Sequence, residues 1–480
     1  MSRQQLTPLT AEDQRIKDTW VFWSLVGLMF WMPLPLASNR TIPVYILITW
    51  AVFISLAQVW VWRHHLPQAL AHMRRYAWPL GLLLLFVLLV WFQSVPLPKS
   101  WVAELSPLAF EKQRLAEVVY LSLTPQETRL YAFLSTAYLC LFASTLLLVR
   151  DKRRLELLSN CIVFAGVFQA VLGVILFSLG AHYKLAGAEL IHDRVKGSFV
   201  YHNHFAGYME LCLSVGIGLM LAHLGEKTYS GSGWRHWLTN MFAFLLSPKM
   251  RLRLLLVVMV IALVLTRSRM GNAGFFSAML IVGVLSLILT RRSAPAMVAL
   301  IISLIVVDVV VIGTWVGLEK VVARVQETTL LTETGRTEES VEQRETVALK
   351  TLSIIKDYPL FGTGAGSFYK VYFDYYPSQP PFWDHTHNDY AEWASNHGLI
   401  GLVIMGAFVL LTFIVSAVTL AKRRSAVPRG MAFGTLMAIV AIAIHSWVDF
   451  NLQLPTNAAT LMVILAMGWS AYRLPSPRSR

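Results

Sequence analysis

The stretch HGLIGLVIMGAFVLLTFIVSAVTL at residues 397–420 decides the fold class, because it contains no Asp, Glu, Lys or Arg. About 20 helical residues cross the roughly 30 Å of membrane hydrocarbon, so a run of this length predicts a transmembrane helix. Similar apolar blocks lie at 20–36, 41–62, 77–95, 129–149, 157–180, 204–224, 250–266, 271–290, 296–318, 430–448 and 456–472. The sequence therefore predicts an all-α integral membrane protein with about 12 transmembrane helices.

The composition agrees with a membrane protein. Of the 480 residues, 56% are hydrophobic and only 14% are charged, whereas about 25% is usual in soluble domains. The first block follows 19 residues of mixed charge and is soon followed by the second, so we expect a spanning helix and not a removable signal.

The three cysteines fall inside apolar blocks at unrelated spacing: Cys140, Cys161 and Cys212. This indicates small core residues rather than disulfides or thiolate metal ligands.

The excess of basic residues predicts how the chain is oriented. Its formal net charge is +14, and the short loops with several charges, such as 150–154 and 422–424, are basic. Because Lys and Arg accumulate in cytoplasmic loops, we expect both termini in the cytoplasm and the longer segments 96–128, 181–203 and 319–396 on the opposite side. Outside the blocks we find no interleaving of basic and aromatic residues, so no nucleic-acid partner is expected.

The longest external segment divides the chain into three parts. Residues 1–318 are predicted to form transmembrane helices 1–9, residues 319–396 a large loop, and residues 397–480 transmembrane helices 10–12. Within the loop, the sequence DYP at 357–359 ends a helix, since the residue before a proline avoids helical backbone. A second helix is expected to start at 384–389 and to continue into the next apolar block.

Residues 338–356 are predicted to form an amphipathic helix in the large loop. Val341, Ala348, Leu352 and Ile355 fall on one helical stripe, and charged residues occupy the other faces. We expect this stripe to lie on the bundle or at the membrane interface.

A histidine-rich stretch precedes the tenth block and allows three interpretations. His385, His387, Asp389 and His397 could bind zinc, but their spacing matches no standard ligand pattern. They could cap a helix and pack at the interface, or one histidine could be a general base. The sequence leaves the last two interpretations open.

Two external basic clusters suggest a site for an anion. Arg267 and Arg269 lie in a very short external turn, and Arg194 and Lys196 precede the sequence YHNH at 201–204. Arginine side chains in such places either extend to the membrane interface or bind phosphate through bidentate guanidinium contacts. Two such clusters favour phosphate.

Several other polar residues and glycines are expected to have structural rather than catalytic roles. Glu210 and Asp308 lie inside apolar blocks, where an acid is costly and often functional but can also be a paired structural group. His445 and Asp449 stand four residues apart and could form an orienting pair. The glycines at 362–366 lack the strand–turn–helix context of a phosphate-binding loop, so we expect a turn.

The sequence resembles the O-antigen ligase superfamily, which also contains polysaccharide polymerases. His387 and Asn388 are followed after nine residues by GLIG at 398–401, similar to the ligase signature H-[NSQ]-x9-G-x-x-G. The stretch at 357–364 is similar to the family's sequence before this histidine. Looser similarities lie at residues 93–98, 105–107, 203–207, 268–271 and 445–450.

The resemblance implies a GT-C-like, inverting glycan transferase of the bacterial inner membrane, active in lipopolysaccharide or exopolysaccharide biosynthesis. It would transfer a glycan from undecaprenyl diphosphate, on the periplasmic face, to the sugar hydroxyl of a glycan or lipid A-core acceptor. His387 matches the family's essential histidine, and Arg194 and Arg269 match its essential arginines. The supporting residues are expected to be Lys196, Asn203, His204, His385, Asn388 and Asp389.

The residues favour a reaction without a metal ion or other cofactor. Diphosphate is a good leaving group, and arginine side chains, with Arg267 as a third donor, can neutralise its developing charge. The first external turn, residues 37–41, contains no acid where many metal-dependent GT-C-type enzymes carry one.

Two alternatives remain at the level of sequence. Leu402 stands where the ligase signature continues with threonine, which favours a polymerase. A transporter or flippase of lipid-linked glycans should show repeat symmetry and charged residues along a midplane path. Only two acids fall inside the blocks, which favours an enzyme.

Overall fold

The computed structural model describes residues 17–185, 188–223, 248–290, 341–377 and 383–475. Within these ranges the chain is mainly helical, with a short antiparallel hairpin of β1 (His182–Leu185) and β2 (Ala188–Ile191). In chain order the helices are α1 (Thr19–Trp31), α2 (Thr41–Trp62), α3 (Leu66–Arg74), α4 (Ala77–Ser94), α5 (Lys99–Leu105), α6 (Pro107–Lys112), α7 (Pro125–Leu148), α8 (Lys152–Ser178), α9 (His202–His223), α10 (Pro248–Leu265), α11 (Arg269–Thr290), α12 (Val341–Asp357), α13 (Phe368–Tyr375), α14 (Asp389–Lys422), α15 (Ala426–His445) and α16 (Pro455–Arg473).

Eight of the described helices are long and apolar enough to cross a membrane: α2, α4, α7, α8, α9, α11, α14 and α15. Three other predicted blocks also form helices. Of these, α1 has only 13 residues, α10 starts with several basic residues, and α16 is buried throughout 455–471. The block at 296–318, which includes Asp308, and the start of the large loop lie outside the described residues. The chain is an integral membrane protein, and the total of about 12 spanning helices stays a prediction.

Helix α9 lies at the centre of the bundle. Every residue from Asn203 to Met220 is buried, and α8, α10, α11, α15 and α16 pack around it. Glycines bring α9 and α15 together: a Cβ atom on Gly218 would lie 2.4 Å from the carbonyl oxygen of Gly430, and the reverse distance is 2.2 Å. Small residues at such crossings allow close packing of membrane helices.

Helix α14 is broken at Gly398, where the backbone has φ 65° and ψ −177°. This conformation is essentially restricted to glycine. The carbonyl oxygens of Pro359 and Leu360 accept hydrogen bonds from the N–H groups of Leu399 (2.8 Å) and Ile400 (3.3 Å), and Gln93 donates to Asn396 O (2.9 Å). The glycine of the histidine signature therefore allows the loop after α12 to dock into the break of α14.

The predicted amphipathic helix is present as α12, but the stripe predicted to lie on the bundle or at the membrane interface is not the face that packs on the protein. Val347, Thr351 and Ile354 are buried, whereas Leu352 is 53% exposed. The buried positions are shifted by one residue along the helix relative to the predicted stripe, because Val347 and Ile354 pack in an apolar cluster with residues at 102–121 and 368–383. A threonine therefore occupies part of the buried face, which hydrophobicity alone does not predict.

Candidate active site

One end of the bundle collects the residues that the sequence singled out. The backbone N–H of Asp389, at the start of α14, donates to Ser446 O (2.9 Å), directly after α15. In the first turns of α11 and α9, a Cβ atom on Gly271 would lie 2.6 Å from the Cβ atom of Ala206. We call this end, where α9, α11 and α14 begin and α15 ends, the loop end.

His387 lies in the turn that precedes α14. It is 4% exposed and adopts φ 53°, a conformation that is uncommon for residues other than glycine and that often marks functional sites. The next residue, Asn388, caps α14 by accepting a hydrogen bond from Ala391 N (3.0 Å) and donates to Trp447 O (2.9 Å). The surrounding hydrogen bonds hold this turn in place.

Phe450 brings three histidines together. Its ring centroid lies 4.2 Å from that of His385, which is stacked on it at an interplanar angle of 21°. The rings of His204 (4.5 Å) and His387 (4.8 Å) contact Phe450 edge-on, and Trp383 contacts His387 at 5.4 Å. This aromatic cluster restricts the orientation of the His387 ring.

Glu392, one turn into α14, holds the histidine turn. Its carboxylate accepts hydrogen bonds from His385 Nδ1 (2.7 Å) and from Thr386 N (3.0 Å). Burial alone would lower the pKa of His385, but the adjacent Glu392 carboxylate outweighs burial and raises the pKa to about 9. His385, two residues before His387 in the chain, is therefore an imidazolium at neutral pH.

Asp389 holds the facing loop. Its carboxylate accepts hydrogen bonds from Ser446 Oγ (2.7 Å), Leu452 N (3.1 Å) and Gln453 Nε2 (3.1 Å). These contacts fix the segment that carries Phe450. Asp389 therefore holds the loop between α15 and α16 against the start of α14.

Asp449 connects the loop end to α12. Arg344 Nη1 lies 3.8 Å from Asp449 Oδ2, and Arg344 also donates to Tyr201 Oη (2.5 Å). Burial would raise the pKa of Asp449, but His204, then His445 and Arg344, hold it well below its usual range. Asp449 therefore stays ionised, and the predicted His445–Asp449 pair is present at 4.0 Å.

Arg194 reaches the same cluster from the loop before α9. Its Nη1 lies 3.1 Å from Nε2 of His202, and the Tyr201 ring lies next to the rings of His202 (4.8 Å) and His204 (5.3 Å). A row of contacting side chains thus links Arg194 to His387 through Phe450. Lys196 instead donates to Val200 O (3.1 Å) within its own loop.

Arg267 and Arg269 are exposed at the loop end. Arg267 has φ 57°, and Arg269 is the first residue of α11. Leu265 O accepts a hydrogen bond from Val195 N (3.3 Å), so their turn adjoins the loop of Arg194. Within the described residues neither guanidinium group has a hydrogen bond or ion pair, and both are accessible to a ligand.

A second buried network joins Glu210 of α9 to His445 at the end of α15. His445 Nδ1 contacts Glu210 Oε1 at 2.9 Å, and both side chains are fully buried. Asn203 is buried in the first turn of α9, and the carbonyl of His204 accepts a hydrogen bond from Asn457 (3.0 Å). Glu210 is therefore a paired group inside the bundle.

One residue of the histidine stretch, His397, packs against aromatic rings, and the general-base role stays a prediction. The ring of His397 packs between Phe86 (5.0 Å) and Trp393 (5.1 Å), as an interface residue would. Among the described residues, no group of three or more His, Cys, Asp or Glu side chains is arranged to hold a metal ion.

The sequence did not predict three residues that make contacts at the candidate site: Arg344, Phe450 and Glu392. Arg344 and Phe450 come from segments about one hundred positions apart, and no local spacing connects them. Glu392 could have been found, since it lies one helical turn after Asp389 in the first turn of a helix, where acids are favoured.

Comparison with known protein families gives a match over part of the chain. Residues 254–406 match the family model described as O-antigen ligase. The matched region contains Arg267, Arg269, Arg344 and His387, and it ends after the glycines at 398–401. No curated protein matches the chain.

Proposed function

Since the match over residues 254–406 supports membership of the O-antigen ligase and polymerase superfamily, we propose that this membrane protein transfers a glycan from undecaprenyl diphosphate to an acceptor sugar hydroxyl. The observation that carries the proposal is the row of contacts at the loop end, which connects His387 to Arg194. This row supports a single site that contains both an imidazole and a guanidinium group.

His387 is proposed as the general base. Imidazole is the commonest general base in enzymes, and proton removal by a positioned base contributes about 10²–10⁴-fold. The buried, ring-packed position of His387 supports this role, because a fixed base loses little orientation freedom when it reacts. It would take the proton from the acceptor hydroxyl as that oxygen attacks the anomeric carbon.

Arg194, Arg267 and Arg269 are proposed to bind the diphosphate. Guanidinium groups form paired hydrogen bonds with phosphate oxygens, and this charge neutralisation helps the diphosphate to leave without a metal ion. Support comes from the exposed side chains of Arg267 and Arg269 and from the hydrogen bond between Val195 and Leu265 that joins the two basic loops.

Inversion requires the acceptor to attack opposite the leaving diphosphate. His387 and Arg194 are at the two ends of a row of packed side chains, so the sugar would bind beside the row, with the base toward one end and the leaving group toward the other. Asn203 and His204 lie in the first turn of α9, and His204 is part of the row through its contacts with Tyr201 and Phe450.

The membrane placement is part of the proposal. The donor's polyprenyl chain would lie among the apolar helices, and the loop end would face the periplasm of a bacterial inner membrane, with both termini cytoplasmic. We propose that the chain completes a GT-C-like fold with about 12 spanning helices, divided into 1–318, a large loop 319–396 and 397–480.

The acceptor distinguishes a ligase from a polymerase, and Leu402 favours the polymerase as the second candidate. The lipid-linked glycans that accumulate in a deletion strain show which of these functions the protein has. Long polymer that accumulates on the carrier indicates a ligase, and single repeats indicate a polymerase. Repeats that stay on the cytoplasmic face indicate a flippase and contradict the proposal.

The same strain tests the site. Complementation with His387→Ala should leave the glycan profile of the deletion strain unchanged, because the base is removed. His65→Ala, a histidine substitution at an exposed position between α2 and α3, should restore the wild-type profile. Restoration by His387→Ala at an equal protein level would reject His387 as the base.

A further inference from the structure

Two buried carboxylates lie one helical turn apart at the start of α14. Asp389 binds the loop that carries Phe450, and Glu392 binds the turn that carries His387. Since Phe450 and His387 contact each other, the first turn of α14 determines how the two segments meet.

Glu392 is almost fully buried, and its contacts all go to the histidine turn. Oε1 accepts a hydrogen bond from His385, and Oε2 accepts bonds from the backbone N–H and the hydroxyl of Thr386 (3.0 and 3.3 Å). The Thr386 hydroxyl in turn contacts Asn388 O (2.6 Å) and Asn388 N (3.1 Å). His387 lies between these two anchored residues.

We propose that Glu392 is a positioning residue that holds His387 in its left-handed conformation by anchoring His385 and Thr386. The catalytic part of this inference rests on the proposed function, because only a catalytic His387 would make its orientation matter for turnover. The conformation itself is unfavourable for a side chain with a Cβ atom and persists only where neighbouring contacts enforce it.

The anchor depends on the charge of His385. An imidazolium donates to the Glu392 carboxylate through a charge-assisted hydrogen bond and stacks on the Phe450 ring, which attracts cations. The titratable groups around His385 are Asp384 and His387 in the same turn, Asp389 and Glu392 on α14, and His204 on α9. The pKa of His385, about 9, means that its charge persists through neutral pH.

Hydrogen exchange of the purified protein tests the anchor without any assay of transfer. In Glu392→Gln the amides of Thr386 and Asn388 should exchange at least tenfold faster than in wild type, because the carboxylate that fixes them is lost. Glu345→Gln, the same substitution at an exposed position of α12, should leave their exchange unchanged. Wild-type protection in Glu392→Gln would overturn the proposal.

The pH dependence of turnover separates positioning from general damage to the fold. Glu392→Gln should lower kcat about 10- to 100-fold, the ratio expected when a hydrogen bond to a charged group is lost. Without the Glu392 carboxylate, burial lowers the pKa of His385, so the fall in rate at alkaline pH should move from about pH 9 to lower pH.

Glu392→Asp keeps the carboxylate charge. Its rate should fall at the same alkaline pH as that of wild type, even where the rate itself is lower. An equal pH profile for Glu392→Gln and wild type would overturn the positioning role. Faster amide exchange in Glu392→Gln together with a fully active His387→Ala would support the anchoring of the turn and overturn the proposed function instead.

Discussion

Replacing Gly398 by alanine should destabilise the protein by about 3–5 kcal/mol. The backbone at this residue has φ 65° and ψ −177°, and holding a residue with a side chain in such a region costs about 1–3 kcal/mol. An added Cβ atom would lie 2.1 Å from Leu360 O, a backbone atom that cannot rotate away. The displaced loop would weaken the hydrogen bonds from Leu399 and Ile400, each worth about 1 kcal/mol.

Gly406 offers a matched control in the same helix. A Cβ atom there meets nothing within 4 Å, and alanine favours helix more than glycine by about 1 kcal/mol. Unfolding of the detergent-solubilised proteins, followed by tryptophan fluorescence, should show a clear loss of stability for Gly398→Ala. Gly406→Ala should be as stable as wild type or slightly more stable. Equal stability of the two variants would refute the interpretation that the glycine signature is required by the break in α14.

Three further predictions concern the site. Arg269→Lys should reduce transfer about 10²–10³-fold, since an ammonium group cannot replace a bidentate guanidinium; near-normal turnover would assign Arg269 to the membrane interface. Transfer in purified membranes should survive EDTA, and a loss restored by Mg²⁺ would contradict the metal-free scheme. Because the pKa of His385 is raised to about 9, its ion pair with Glu392 should stabilise the fold fully below about pH 6.5 and progressively less as pH rises through 9. The difference in thermal midpoint between wild type and His385→Gln, measured from pH 6 to 10, should shrink over this interval, and a constant difference would contradict the ion pair.

The spanning helices were predictable because each apolar block is long, and length and hydrophobicity are local properties of the sequence. The blocks at 41–62 and 129–149 correspond closely to α2 and α7. Helix α16 shows what these local properties do not predict. The block at 456–472 forms a helix that its neighbours bury throughout 455–471, and sequence hydrophobicity does not reveal whether lipid or protein surrounds a helix.

Within the candidate site, the sequence predicted local structure only where the residues are close in the chain. His387, Asn388 and Asp389 share one turn, and the sequence assigned them correctly to the start of a helix. Arg344 could not be found in this way, because its contacts with Tyr201 and with the segment at 448–449 join distant parts of the chain. The buried face of α12 was not predicted for the same reason, since Val347 and Ile354 pack with apolar residues at 102–121, which are distant in the chain.

The most direct test uses purified protein in liposomes with an undecaprenyl-diphosphate-linked glycan and a sugar acceptor. Wild type should release one undecaprenyl diphosphate per glycan transferred and invert the anomeric configuration, whereas an equally folded His387→Ala should do neither. Turnover by His387→Ala at the wild-type rate, or a product that retains the donor configuration, would contradict the account.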